Sequence, residues 1–369
     1  MQSSTQSTNN NKARLIAFYL PQYHPIPEND EWWGRGFTEW TNVTKAKPLF
    51  RGHHQPNLPS DLGFYDLRVP ETREAQVNLA REYGIEAFCY YHYWFAGKRI
   101  LERPFEEALK SGRPDFPFCL CWANQSWTGI WHGAPNRMLI EQTYPGLDDH
   151  RKHFKYLISA FRDPRYLRVD GKPVFVIYNP DDLPEPKMVT DLWREMAINA
   201  GFPGLHLIAE HNRADWDPKP RGFDEVLLVR LPPRRVTMAS WTTWKNPIRK
   251  LRYYLADWRG LPTIHQYEHV IDHMITEPVA YIDSIPCIVP NWDNTPRSGS
   301  AGRVLHGSTP ELFRKHLRRA FHRVAGVPLE RRFVFVKSWN EWAEGNYLEP
   351  DQRYGHAYLE VIRDELSRL

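Results

Sequence analysis

No stretch of this 369-residue chain stays apolar for the roughly 20 residues that a bilayer crossing needs, so no membrane span is expected. Cysteine is scarce. The four present, Cys89, Cys119, Cys121 and Cys287, each sit inside an apolar β-rich run. Cys119 and Cys121 are two apart, share a strand face and cannot readily bond each other, so buried free thiols in a reducing compartment are expected rather than a disulfide framework. An excess of one charge is also lacking: 48 Lys and Arg against 44 Asp and Glu leave +4, spread along the chain, which predicts no nucleic-acid partner. A glycine-rich phosphate turn, a P-loop, a serine nucleophile elbow and an Asp-x-Asp metal motif at a strand end are all missing. The opening MQSSTQSTNNNK has neither the charged start nor the apolar centre of a secretory signal. Residues 1–13 are therefore expected to be a disordered tail on a cytoplasmic protein, and 14–369 a single domain. Nothing in the sequence speaks to oligomeric state.

What is abundant is aromatic: 15 Trp, 18 Tyr and 18 Phe make 14% of the chain. Many lie beside polar groups, as in Tyr90-Tyr91-His92-Tyr93-Trp94 and Trp122-Ala123-Asn124. Aromatic faces rimmed by hydrogen-bonding groups suit the CH faces and hydroxyl edges of sugars, although a large core also consumes bulky residues.

Apolar β-rich runs that end in polar residues recur eight times, at Leu15–Pro21, Ile85–Trp94, Phe116–Asn124, Pro173–Pro180, Leu205–Asn212, Phe223–Leu231, Ile285–Asp293 and Arg332–Trp339. Amphipathic helical patterns separate most of them, including Glu71–Tyr83, Asp149–Arg162, Val189–Ala200 and Glu311–Val324, and Gly355–Leu369 closes the chain. The expected fold is α/β, a (β/α)8 TIM barrel, with an open doubly wound sheet as the structural alternative. Two connections, after strands 1 and 6, are too long for turns. The second carries the basic aromatic stretch TTWKNPIRKLRYYLADWRG. Long insertions after barrel strands usually roof the active site.

In such a barrel, chemistry sits at the C-terminal strand ends. Those ends offer Tyr19, Tyr23 and His24, with Glu39 and Trp40 in the long loop that follows. Then come His92, Tyr93 and Trp94; Trp122, Asn124 and Gln125; Tyr178; Glu210; Arg230; Asn291, Trp292 and Asp293; and Trp339 and Asn340. All are candidate substrate-binding residues for a polyhydroxylated ligand, a carbohydrate. The histidines do not form a metal set, since His53-His54 are adjacent in a loop and His24, His92 and His211 stand alone. Neither a metal nor a cofactor is expected.

The segment Arg332 to Asp351, RFVFVKSWNEWAEGNYLEPD, concentrates these signals. The run Phe333-Val334-Phe335-Val336 reads as a strand buried on both faces, and it opens into Trp339-Asn340-Glu341-Trp342-Ala343-Glu344. Glutamates three apart usually mark a solvated helical turn. At a barrel strand end between tryptophans they become candidate catalytic residues, because two carboxyl groups are what glycosidic cleavage requires. If the turn is helical, their Cβ atoms lie ~5–6 Å apart, near enough for one to stay protonated while the other ionises.

The stretches IAFYLPQYHPIPENDEWWGRGFTEWTNV, QPNLPSDLGFYDLR, EYGIEAFCYYHYWFAGKRILERP, DFPFCLCWAN, DPRYLRVDGKPVFVIY and SWNEWAEGNYLEPD make the chain resemble, from about residue 14 to its end, the WbsX-type proteins of bacterial polysaccharide gene clusters, related to glycoside hydrolase family 99. That resemblance implies a (β/α)8 barrel that cleaves glycosidic bonds with retention through a 1,2-anhydro sugar. It implies Glu341 as the base that activates the substrate's 2-hydroxyl, and Glu344 as the general acid that later activates water. One departure stands out: the related proteins commonly read CWANENW, whereas here Cys121-Trp122-Ala123-Asn124-Gln125-Ser126-Trp127 puts an amide in place of a carboxylate. Two other readings remain beside the hydrolase: a glycosyltransferase of O-antigen or cell-surface polysaccharide assembly, and a non-catalytic sugar-binding protein.

Overall fold

The computed structural model describes residues 13–129, 134–233, 260–279 and 281–369. The expected tail, bar Ala13, and residues 242–259 of the basic aromatic stretch lie outside the described residues. Eight strands form one closed parallel sheet: β1 Arg14–Tyr19, β2 Ala87–His92, β3 Phe118–Trp122, β4 Lys172–Ile177, β5 His206–His211, β6 Glu225–Leu228, β7 Ser284–Ile288 and β8 Phe333–Val336. Each pairs with the next, and β8 returns to β1 with Arg14 opposite Phe333 and Ala17 opposite Val336. The fold is a (β/α)8 barrel.

The strands are buried on both faces, against the barrel interior and against the helical layer, which explains the unbroken apolar runs. Alternation sorts the side chains. On β2, Tyr91 faces Phe18 inside, while Phe88 and Tyr90 pack outside with Tyr19. All four cysteines are buried and free.

Helices α1 Pro27–Trp33 and α2 Glu39–Lys45 lie in the long connection after β1. The outer layer contains α3 Pro70–Glu82, α4 Arg103–Ser111, α5 Leu147–Arg162, α6 Pro186–Asn199, α7 Tyr267–Met274, α8 Pro310–Val324 and α9 Ala357–Leu366. Three of these begin one to three residues before the sequence pattern predicts, because a proline opens them. The ring fixes φ near the helical value, and the missing N–H would have had no partner in the first turn. Between β5 and β6 the helix is replaced by a 3-10 turn, Lys219–Arg221. Among the described residues, no helix is long and apolar enough to cross a membrane.

Candidate active site

Beyond Val336 the chain passes through a cis peptide at Lys337-Ser338 and then folds back on itself. Asn340–Glu341 pairs antiparallel with Asn346–Tyr347, and Trp342–Glu344 forms a single 3-10 turn between them. Glu341 therefore precedes a tight hairpin turn and Glu344 closes it, so the two do not sit on an α-helical turn. Neighbouring groups fix this hairpin. The Asn340 side chain accepts from Leu20 N at 2.7 Å and donates to Leu20 O at 3.0 Å. The Tyr23 hydroxyl donates to Asn340 O and accepts from Trp342 N. On the other side, Asp293 N donates to Glu344 O at 2.6 Å. Gly345 turns the chain with φ +59°, and a Cβ there would stand 2.9 Å from Asp293 N.

Glu341 and Glu344 open into a cleft. Loop 1 contributes Trp33, Phe37, Glu39 and Asn42. The β2 end gives Tyr91 and Tyr93, and the segment after β3 gives Gln125, Ser126 and Trp127. Tyr178, Arg297 and Lys337 complete the wall. Each of the two cations is already engaged. Arg297 donates from Nε to Glu39 Oε2 at 3.0 Å and from Nη1 to Glu344 Oε1 at 2.6 Å. Lys337 Nζ donates to Glu210 Oε1 at 2.8 Å and lies 4.7 Å from the centre of the Tyr178 ring. Burial first, then the charge and hydrogen bond of Glu344, pushes the Glu341 carboxyl up to about 8, against the lowering influence of Lys337 and Arg297. Burial also raises Glu39, offset in part by Arg297. Burial works against the Lys337 ammonium, but Glu210, Tyr178 and Glu341 together hold its pKa well above the usual lysine value. A carboxyl pushed up by burial and a second one paired to Arg297 thus lie side by side under an aromatic wall, an arrangement suited to general acid–base chemistry.

Of the residues singled out from sequence, Glu39, Tyr93, Gln125, Tyr178, Glu341 and Glu344 line this cleft, and Glu210 reaches it through Lys337. The others point elsewhere. His92 bonds His153 at 2.8 Å, Trp94 donates to Asp149, and Trp122 packs on Trp193, all toward the helical layer. Tyr19 donates to Gln76, Tyr23 and Trp40 pack beneath the Trp342 turn, and His24 is buried away from the cleft. Asn124 clamps Tyr144 and Asn179, Asn340 clamps Leu20, and Trp339 lies against Phe88. Arg230 donates to His273 O, and Trp292 lies under Arg303. The carboxylate of Asp293 is consumed by His53, Gln55 and Thr295. Asn291 lines a separate crevice with His54, Asn57 and Tyr354, behind the Glu344 turn. Asp148 and Asp149 lie in the first turn of α5, where Gly146 rather than either aspartate is the capping residue. Among the described residues, no group of three or more His, Cys, Asp or Glu side chains is arranged to hold a metal ion.

Sequence reasoning missed Arg297 and Lys337. Lys337 carried a signal, a lone charge directly after an apolar strand. Arg297, in the turn Thr295–Ser298, carried none.

The family model described as Glycosyltransferase WbsX matches residues 15–362. The chain belongs to the WbsX family. A WbsX-family relative is the protein described as "Uncharacterized protein WxcX" of Xanthomonas campestris pv. campestris strain B100, 42% identical over 357 residues that make up 96% of this chain and 50% of that protein. A second strain of the same pathovar carries a counterpart, also 42% identical, over 358 residues. The chain spans about half the length of the curated relatives it matches. Among solved structures, the WbsX chain is similar to a "Glycoside hydrolase-like protein", with a TM-score of 0.62 and 16% identity, covering 97% of this chain and 94% of that one. It is also similar to the GH99 endo-alpha-mannosidase from Bacteroides thetaiotaomicron, with a TM-score of 0.54 and 16% identity over 96% and 98% of the two chains. At these identities the likeness establishes a shared barrel.

Proposed function

We propose that this WbsX-family chain is a glycoside hydrolase acting on a bacterial polysaccharide or oligosaccharide, with Glu341 and Glu344 as its base and acid. The observation that supports a hydrolase is the pair itself, two buried carboxyls at the end of β8 facing Tyr91, Tyr93, Trp127 and Tyr178; the division into base and acid follows the family resemblance.

In the working arrangement, Glu341 as carboxylate takes the proton of the substrate's 2-hydroxyl while O2 closes onto the anomeric carbon. Glu344 gives its proton to the departing glycosidic oxygen. A 1,2-anhydro sugar results. Water then opens it, giving up its proton to Glu344 as O2 regains one from Glu341, and the configuration is retained. This route needs no carboxylate touching the anomeric carbon, unlike the usual retaining scheme. It requires O2 and the leaving oxygen on opposite faces of the C1–C2 bond, which favours α-linked mannose- or rhamnose-like sugars with an axial 2-hydroxyl.

The name of the matching family keeps a second reading alive, transfer from an activated donor. Against it, Arg297 and Lys337 are already bound to carboxylates, so neither stands ready for a diphosphate. A non-catalytic sugar-binding protein would keep the aromatic wall but has no need of the proton-sharing pair. The experiment is sugar release from oligosaccharides and aryl α-glycosides by wild type, Glu341→Gln and Glu344→Gln. Release by wild type and loss in both variants is expected. Transfer from a nucleotide sugar without hydrolysis would overturn the hydrolase reading, and equal binding by all three without turnover would favour the binding protein.

A further inference from the structure

Arg297 joins two walls of the cleft. It arises from the turn after β7, and its guanidinium is fixed by Glu39 of α2 on one edge and Glu344 on the other. The side chains of all three are largely buried, at 13%, 3% and 10% exposure. A guanidinium held at two nitrogens by two carboxylates has little freedom to swing, and it is always charged.

Glu341 and Glu344 stand at the two ends of the same short turn and open into the same cleft, both buried. Two buried carboxyls so placed resist ionising together, which favours a single proton between them. The charged and titratable groups that face this pair come from every surrounding element. Tyr91 and Tyr93 extend from β2 and Tyr178 follows β4. Lys337, paired with Glu210, extends from β8, Glu39 from α2 and Arg297 from beyond β7. Among the described residues, Arg297 is the cation in ion contact with a member of the pair, and it touches Glu344.

We propose that Arg297 is the positioning residue that decides which glutamate carries the shared proton: it holds Glu344 as a carboxylate and leaves the proton on Glu341 in the empty cleft. The rise of Glu341 to about 8 runs in the same direction. If the hydrolase reading above holds, on which this consequence rests, the resting pair is set opposite to its working state. A bound sugar must draw Glu344 off Arg297, and the proton then passes from Glu341 to Glu344. No other bond changes, and Arg297 stays on Glu39.

Infrared difference titration of the protein alone tests the assignment. The carbonyl band of a buried protonated carboxyl is read against the Glu341→Gln/Glu344→Gln double variant, so that the band of Glu349, pushed up to about 7 chiefly by burial, cancels. Wild type should show one such acid at neutral pH, and Glu341→Gln should show none. Adding Arg297→Gln to Glu341→Gln should bring the band back, now from Glu344, whereas adding Arg297→Lys should keep it absent. In the Arg297→Gln single variant the apparent midpoint of the pair should climb by roughly one to three pH units, and the basic limb of kcat/KM should move with it. A band that persists in Glu341→Gln overturns the proposal, as does an Arg297→Gln/Glu341→Gln protein without one. If the arginine variants fail to fold, Glu341→Gln alone still decides where the proton rests. Because these spectra need no substrate, a protein that cleaves no sugar would sink the hydrolase reading and leave the proton assignment standing.

Discussion

Lys337 Nζ lies 2.8 Å from Glu210 Oε1, an ion pair whose side chains are both under 10% exposed. It spans the barrel top from the β8 end to the β5 end, with Phe18 and Tyr178 packed against the ammonium. Breaking one half of a buried pair strands the other charge, so Lys337→Met should lower unfolding free energy by about 3–5 kcal/mol in a denaturant titration. Lys337→Met/Glu210→Leu should recover most of that loss. A double variant as unstable as the single would show that the charges were not acting as a pair.

The roles proposed for Glu344 and Glu341 should be separable by leaving group. Glu344→Gln should reduce kcat on a natural glycoside by about 10²–10⁴. It should retain far more activity on a dinitrophenyl glycoside, whose departing oxygen needs no proton. Glu341→Gln should impair both substrates alike, because the 2-hydroxyl must be deprotonated whatever leaves. Steady-state kinetics on the two substrates checks this.

The buried titrating groups set opposite slopes in stability against pH. His24 is lowered to about 4, and His92 and His316 to about 3, each mainly by burial. Between those values and the ordinary 6.5 the unfolded chain binds protons that the folded one refuses, so stability is full above 6.5 and falls as the solution is acidified. Glu341 is raised, so its contribution is full below the ordinary 4.5 and is lost as pH climbs toward 8. Thermal melts should therefore fall off on both sides. Glu341→Gln should reduce the loss between pH 4.5 and 8, what remains coming from Glu349, while leaving the acid side unchanged, and an unaltered profile would refute the assignment.

Gly345→Ala tests the mounting of the Trp342–Glu344 turn. Its φ of +59° strains any side chain, and the new Cβ would meet Asp293 backbone at 2.9 Å. The strain is about 1–2 kcal/mol before any clash. Because the neighbour is backbone, we expect kcat to fall well beyond what the change in melting temperature explains.

Gln125 reaches the cleft from the segment after β3 and is exposed there, so Gln125→Glu should leave stability within about 0.5 kcal/mol of wild type. A carboxylate at that position should change KM through a new hydroxyl contact. Progress curves at several substrate concentrations separate that effect from a change in kcat.

The barrel was legible because strands buried on both faces need unbroken apolar runs, and eight such runs stand out. The two glutamates were legible for the same reason, as polar residues directly after Val336. The rest of the site was obscured by side-chain direction. Strand residues alternate, so Tyr91 and Tyr93 enter the cleft while His92 and Trp94, equally polar and aromatic in sequence, turn to the helices. Past the strand ends no period applies, and Asn340 and Asp293 are consumed in holding backbone and loops. Arg297 reaches Glu344 across 47 positions, a pairing set by closure of the barrel rather than by local pattern.

Asp293 ties three loops into one. Its carboxylate binds His53 and Gln55 from the connection after β1 and Thr295 from its own loop, while its backbone holds Glu344 after β8. Engineering that treats the loops of this barrel as interchangeable modules will therefore fail at this point. A transplanted first loop must bring matching partners for Asp293, or the recipient loses the geometry of its two glutamates along with the borrowed segment.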